Sequence, residues 1–226
     1  GLLTELKYLN LSWNTIIGEL PDEIGNLTKL EDLDIDNNYI TGAVPESILN
    51  LTELRNFYCN SNLFSDIPDL TPLPQLTELN ISRNKLTFED IAPNFSFFQY
   101  YFEYGNQANV DIEPRYFEIV SGDDVFMTVE LSFSGNNYQW FKNDIAVTEL
   151  SSESDFSLLN AGPEDAGKYY CKITNPAVDV LTLQTEDVFV CFKAQSNIIN
   201  ACGEISNDTV WNADTVKIYC DIIVND

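Results

Sequence analysis

Four stretches of this chain share one apolar spacing. "LTELKYLNLSWNTIIGELPDEIGN" begins at Leu3, "LTKLEDLDIDNNYITGAVPESILN" at Leu27, "LTELRNFYCNSNLFSDIPDLTP" at Leu51 and "LPQLTELNISRNKLTFEDIAPN" at Leu73. The starts lie 24, 24 and 22 residues apart. Each stretch reads L-x-x-L-x-x-L-x-L-x-x-N-x-I/L, with Phe57 and Cys59 in two apolar slots of the third. A unit this short cannot bury its apolar face alone, so the units must stack and share one continuous core. The L-x-L pair reads as a short strand with both apolar side chains inward. Asn14, Asn38, Asn62 and Asn84 read as turning inward too, where an amide satisfies backbone groups freed by the bend.

The segment "LEDLDIDNNYITGAVPESI", Leu30 to Ile48, has a competing reading. Asp34, Asp36 and Asn38 alternate like the oxygen ligands of a calcium loop. Such a loop needs Gly at its sixth position and Glu at its twelfth. Those positions are Tyr39 and Pro45. The repeat register is the better account, and no metal ligand set is assigned.

The four units resemble leucine-rich repeats. The first two add G-x-[LV]-P, at Gly18–Pro21 and Gly42–Pro45. That variant is similar to the plant-type subclass, which also occurs in bacterial surface proteins. The resemblance implies a solenoid with a concave face of aligned strands. Its outward columns read Tyr8/Asp32/Asn56/Glu78, Asn10/Asp34/Tyr58/Asn80, Ser12/Asp36/Asn60/Ser82 and Trp13/Asn37/Ser61/Arg83. If the solenoid binds a ligand, contact is expected on Tyr8, Trp13, Asp32, Asp34, Asp36 and Tyr58. Aromatic faces beside Asp and Asn suit sugar rings, and they suit a polar or cationic peptide equally well. The three aspartates are expected to repel one another until a donor-rich partner arrives.

A second region, Asn109 to about Phe192, carries "YQWFKND" at Tyr138–Asp144 and "EDAGKYYCKITN" at Glu164–Asn175. It resembles an immunoglobulin-like domain. The resemblance makes Trp140 the core tryptophan and Tyr169 the tyrosine corner two residues before Cys171. "FMTVELSF", "DFSLLNAG" and "VLTLQTEDVFV" alternate like strands. The strand expected to face Cys171 offers Val129, Leu131 and Phe133, so the usual disulfide is not expected and Cys171 reads as a buried thiol.

Between these regions "FSFFQYYFEYGNQAN" holds seven aromatics from Phe95 to Tyr104. One reading is a stacking platform for sugars. The other is a cap, since a solenoid must close its apolar end and the repeats stop here. The tail, "CGEISNDTVWNADTVKIYCDIIVND" from Cys202 to Asp226, resembles the opening coil of a right-handed parallel β-helix. That resemblance puts Cys202 and Cys220 on adjacent rungs, able to bridge. Cys191 is left open, and Cys59 reads as an apolar core residue.

The expected fold is therefore mainly β: a short leucine-rich-repeat solenoid joined to an Ig-like β-sandwich, with a C-terminal β stub. The expected divisions are 1–94, a junction at 95–108, 109–192 and 193–226. The opening "GLLTEL" lies inside a repeat, so the chain reads as a piece of something longer.

Composition narrows the function. With 36 Asp and Glu against 11 Lys and Arg, the formal charge is −25, a field that repels nucleic acid and anionic lipid. The chain has no histidine, which removes Ser-His-Asp and Cys-His catalysis and the commonest metal ligand. No phosphate-binding glycine loop, cofactor motif or C-x-x-C zinc pattern occurs. No run approaches the ~18 apolar residues of a membrane helix. Six N-x-[ST] sites, at Asn10, Asn26, Asn50, Asn80, Asn94 and Asn207, largely fall out of the repeat consensus itself. The expectation is a non-catalytic, cofactor-free binding or adhesion segment of a large secreted or cell-surface bacterial protein, with a protein or glycan ligand. Two alternatives stand beside it: an accessory segment of a polysaccharide-degrading enzyme, and a structural spacer.

Overall fold

The structure, a computed structural model, describes residues 3–95, 101–113 and 115–193, and the backbone of 198–205 and 215–224. The chain is mainly β and divides into two compact units. The first holds residues 1–109 with the turns 133–135 and 175–183. The second holds 110–132, 136–174 and 184–226.

The first unit is a solenoid. Its inner parallel sheet runs in the order Tyr8–Asn10, Asp32–Asp34, Asn56–Tyr58, Glu78–Asn80 and Tyr101–Glu103. The middle residues Leu33, Phe57 and Leu79 are fully buried, as are Ile35, Cys59 and Ile81 two positions on. A second parallel sheet joins Ile17–Glu19, Tyr39–Ala43 and Leu63–Asp66. Short 3-10 turns, Asp22–Asn26 and Glu46–Asn50, then follow Pro21 and Pro45. Proline suits that place because its ring fixes φ and its missing N–H removes no bond from the turn. Adjacent turns pack so closely that a Cβ on Gly25 would lie 2.5 Å from the Ser47 carbonyl oxygen. In the fourth unit the turn is replaced by a helix, Phe88–Phe95.

The inward asparagines hold the rungs together. Asn62 donates to the carbonyls of Ile35, Cys59 and Asn60, and its oxygen accepts from the Ile40 N–H at 3.0 Å. Asn38 and Asn84 repeat that arrangement with Ile16 and Phe64. Among the described residues Asn14 donates within its own turn, to Leu11 and Ser12. One amide thus ties two neighbouring bends, and replaces bonds that the turning backbone has given up.

The sheet has five rungs where the sequence reading counts four. Tyr101–Glu103 pairs in parallel with Glu78–Asn80, placing Phe102 beside Leu79. Gln107 occupies the asparagine slot. It donates to the Ile81 and Tyr104 carbonyls and accepts from the N–H groups of Asn84 and Leu86. The aromatic junction is therefore in part a degenerate repeat. Phe95, Phe102 and Tyr104 meet edge-on and tilted, with ring centroids 4.9–6.4 Å apart. The rest of the expected cap, 96–100, lies outside the described residues.

The second unit is an immunoglobulin-like sandwich. Asp123–Met127 pairs antiparallel with Phe156–Ala161 in one sheet. The other runs Ile145–Ala146, Asn137–Lys142, Gly167–Thr174, Val188–Phe192 and Tyr116–Ile119. Trp140 is buried opposite Cys171, stacks on Phe156 at 5.6 Å and donates its indole N–H to the Ser154 carbonyl. The Tyr169 hydroxyl donates to the Asp165 carbonyl at 2.7 Å. Two expected strands are shorter. "FMTVELSF" leaves the ladder after Met127, although alternate burial continues to Val129. "VLTLQTEDVFV" splits into Thr182–Gln184 and Val188–Phe192.

Cys171 and Cys59 are free and buried. Burial pushes the Cys171 thiol up from 9.0 to about 12, and pushes Cys59 up as well. Cys191 is disulfide-bonded. The tail strands Ile198–Ile205 and Thr215–Val224 pair in parallel, with a register break between Ala201 and Gly203. The bond expected between Cys202 and Cys220 falls on side chains outside the described residues.

Candidate functional site

The ladder of the inner sheet aligns residues from different repeats into columns. Tyr8, Asp32, Asn56, Glu78 and Tyr101 form one; Asn10, Asp34, Tyr58, Asn80 and Glu103 form the next. Successive rungs of a sheet lie ~4.8 Å apart, so each column presents closely spaced side chains. Beyond the strand ends the ladder continues. Trp13, Asn37, Ser61 and Arg83 donate their N–H groups to the carbonyls of Asp36, Asn60, Ser82 and Gly105. A third column therefore runs Ser12, Asp36, Asn60, Ser82 and Gly105.

The three aspartates still repel one another, but none is without a donor. Each takes an amide from the neighbouring rung: Asn56 donates to Asp32 at 2.9 Å, Asn10 to Asp34 at 2.9 Å and Asn60 to Asp36 at 3.5 Å. The register that aligns the carboxylates also aligns these donors, which sequence spacing within one repeat does not reveal. Burial still raises the Asp34 pKa, with the Asp36 and Asp32 charges adding to it and the Asp36 N–H opposing it. Asp36 keeps one carboxylate oxygen, Oδ1, buried without a donor. The Tyr58 hydroxyl donates to Glu78, and its pKa is raised by burial first and by that carboxylate second. At the edge of the face, Lys7 pairs with Glu31 at 2.6 Å.

Five of the six residues expected to touch a ligand, Tyr8, Asp32, Asp34, Asp36 and Tyr58, thus share the inner sheet's outward columns. Glu78, Tyr101 and Glu103 join them. The signal for the last two was the fifth rung, hidden because Phe and Tyr replace its leucines and Gln its asparagine. Trp13 stands apart. It lies past the end of its strand and lines an open depression of about 370 Å³ with Asn14, Asn37, Asn38, Tyr39 and Ser61. Among the described residues no cluster of acidic and cysteine side chains is arranged to hold a metal ion. No helix among them is long and apolar enough to cross a membrane.

Residues 1–92 match the family model described as a leucine-rich repeat region. That stretch covers 92 of the 226 residues and spans the four repeats read from the sequence. No curated protein matches the chain. Among solved structures, the repeats are similar to the BIR2 ectodomain of Arabidopsis thaliana at 27% identity and a TM-score of 0.35. That similarity covers 36% of this chain and 44% of BIR2. The SOBIR1 ectodomain of the same plant is 28% identical with a TM-score of 0.40, covering 46% of this chain and 59% of its own. The second Ig-C2 domain of human FCRLA is 14% identical with a TM-score of 0.30, covering 34% of this chain and 86% of that domain. The chain spans less than two thirds of either plant ectodomain.

Proposed function

We propose that the leucine-rich repeat region is a non-catalytic binding segment of a secreted or cell-surface protein, and that its inner sheet takes an extended polypeptide bearing lysine or arginine. The observation that carries this reading is the composition of the outward columns. In the three columns of the inner sheet Asp32, Asp34, Asp36, Glu78 and Glu103 stand with Tyr8, Tyr58 and Tyr101 and no basic residue, and Arg83 lies beyond the strand ends in the fourth. The amides that would serve sugar hydroxyls are already engaged: Asn10, Asn56 and Asn60 with the aspartates and Asn80 with the Tyr101 hydroxyl. What remains accessible is carboxylate acceptors and aromatic faces, which suit ammonium and guanidinium groups. The net charge of −25 would steer such a partner in from a distance. The disulfide at Cys191 supports an oxidising compartment.

The test is titration of fluorescent extended peptides, one rich in lysine and arginine and one with glutamine in their place. The basic peptide is expected to bind, with affinity falling as salt rises. The double variant Asp34→Asn with Glu78→Gln is expected to weaken it about tenfold or more, since each lost charge-assisted bond is worth ~1.5–3 kcal/mol. Equal binding by parent and variant would exclude the inner sheet. Equal binding of both peptides would exclude the charge argument.

A further inference from the structure

The slot before each inward asparagine has one backbone demand. Trp13, Asn37, Ser61, Arg83 and Asn106 all have φ between 51° and 56°. This left-handed conformation brings Cβ against the following carbonyl, so it favours glycine and asparagine and disfavours bulky side chains. Asn37 and Asn106 fit the rule. Trp13 and Arg83 do not, and this slot is buried in none of the five rungs. A strained aromatic in a slot that never joins the core points to a role outside folding.

Its surroundings say which role. Tyr39, also a large exposed aromatic, lines the same depression of about 370 Å³. That volume lies in the range of small-ligand sites. The Asn37 side-chain amide and the Ser61 hydroxyl, both lining it, have no hydrogen-bond partner among the described residues. The inner sheet has its amides engaged; this depression keeps a free donor–acceptor amide and a free hydroxyl beside two aromatic rings. The negative face of an aromatic ring attracts the weakly positive C–H face of a pyranose. An amide and a hydroxyl both donate and accept, as sugar hydroxyls require. A chain of charge −25 repels anionic sugars.

We propose that the depression lined by Trp13, Asn37, Tyr39 and Ser61 is a subsite for a neutral pyranose, separate from the inner sheet. It does not rest on the peptide reading, and either can fail alone. The test uses cellohexaose, chitohexaose and mannohexaose at millimolar concentrations, read by saturation-transfer NMR and by tryptophan emission. At least one is expected to bind and to shift the emission. Trp13→Gly removes the ring and relieves the backbone, so it is expected to abolish binding while the melting temperature holds or rises. Tyr39→Ala is expected to weaken binding at least tenfold, and Trp13→Phe to retain part of it. The proposal is overturned if none of the three sugars binds, or if Trp13→Gly binds as the parent does. A fall in melting temperature for Trp13→Gly would overturn the premise that the tryptophan is there for a ligand.

Discussion

Asp36 illustrates how one residue can serve the surface at the expense of the fold. In the first and fourth rungs its slot holds Ser12 and Ser82, whose hydroxyls donate to Asn10 and Asn80 at 2.8 Å. In the second rung the Asp36 N–H still reaches Asp34, at 3.2 Å, but the side chain brings a second carboxylate and a buried oxygen without a donor. A buried acceptor left unpaired costs ~1–3 kcal/mol. Asp36→Ser is therefore expected to raise stability by about 1–3 kcal/mol in chemical denaturation. The same change should weaken the basic peptide, because it removes one of the five carboxylates. A substitution that stabilises and impairs binding together is what a site maintained against folding would show. Loss of stability in Asp36→Ser would mean that the carboxylate is paired in solution and that the slot has no such conflict.

At the scale of elements, the solenoid depends on a ladder of inward amides, and the fifth rung shows how far the ladder tolerates change. Gln107 is one methylene longer than asparagine yet makes four bonds, at 2.7–3.1 Å, to the backbone of Ile81, Asn84, Leu86 and Tyr104. Its removal leaves partly buried backbone groups without partners. Gln107→Ala is expected to cost ~1–3 kcal/mol and to speed amide exchange at Asn84 and Leu86 first. A silent substitution would mean that Tyr101–Glu103 is held by its aromatic contacts alone. The sandwich shows a related economy. Cys171 keeps its place against Trp140 with its thiol intact, as expected from the apolar Val129, Leu131 and Phe133 of the facing segment, and packing fills the site.

Over the whole molecule, charge is the dominant long-range force. Thirty-six acidic against 11 basic residues place a self-repelling field on the folded chain. At physiological ionic strength the screening length is ~8 Å, so the repulsion between rungs is only partly screened. Added salt is expected to raise the melting temperature while weakening the basic peptide, two responses of opposite sign from one cause. Measured together, by calorimetry and peptide titration across one salt series, they separate electrostatics from packing. A melting temperature that falls with salt would place the main contribution in the ion pairs, such as Lys7–Glu31 and Lys168–Asp187.

The repeats and the sandwich were legible in the amino-acid sequence because their determinants are local and periodic. Leucines recur at a fixed spacing, an asparagine follows each strand, and Trp140 and Tyr169 stand at set distances from Cys171. Such signals survive one-dimensional reading, since each unit needs the same residues for the same buried places. The tertiary structure alone decided what crosses from rung to rung. Asn10 meets Asp34, Asn56 meets Asp32 and Trp13 shares a depression with Tyr39 and Ser61 only because parallel pairing sets residues from different repeats side by side. The fifth rung needed the structure too, because a parallel backbone ladder accepts any apolar side chain that fills the core. Phe102, Tyr104 and Gln107 satisfy that geometry while erasing the pattern.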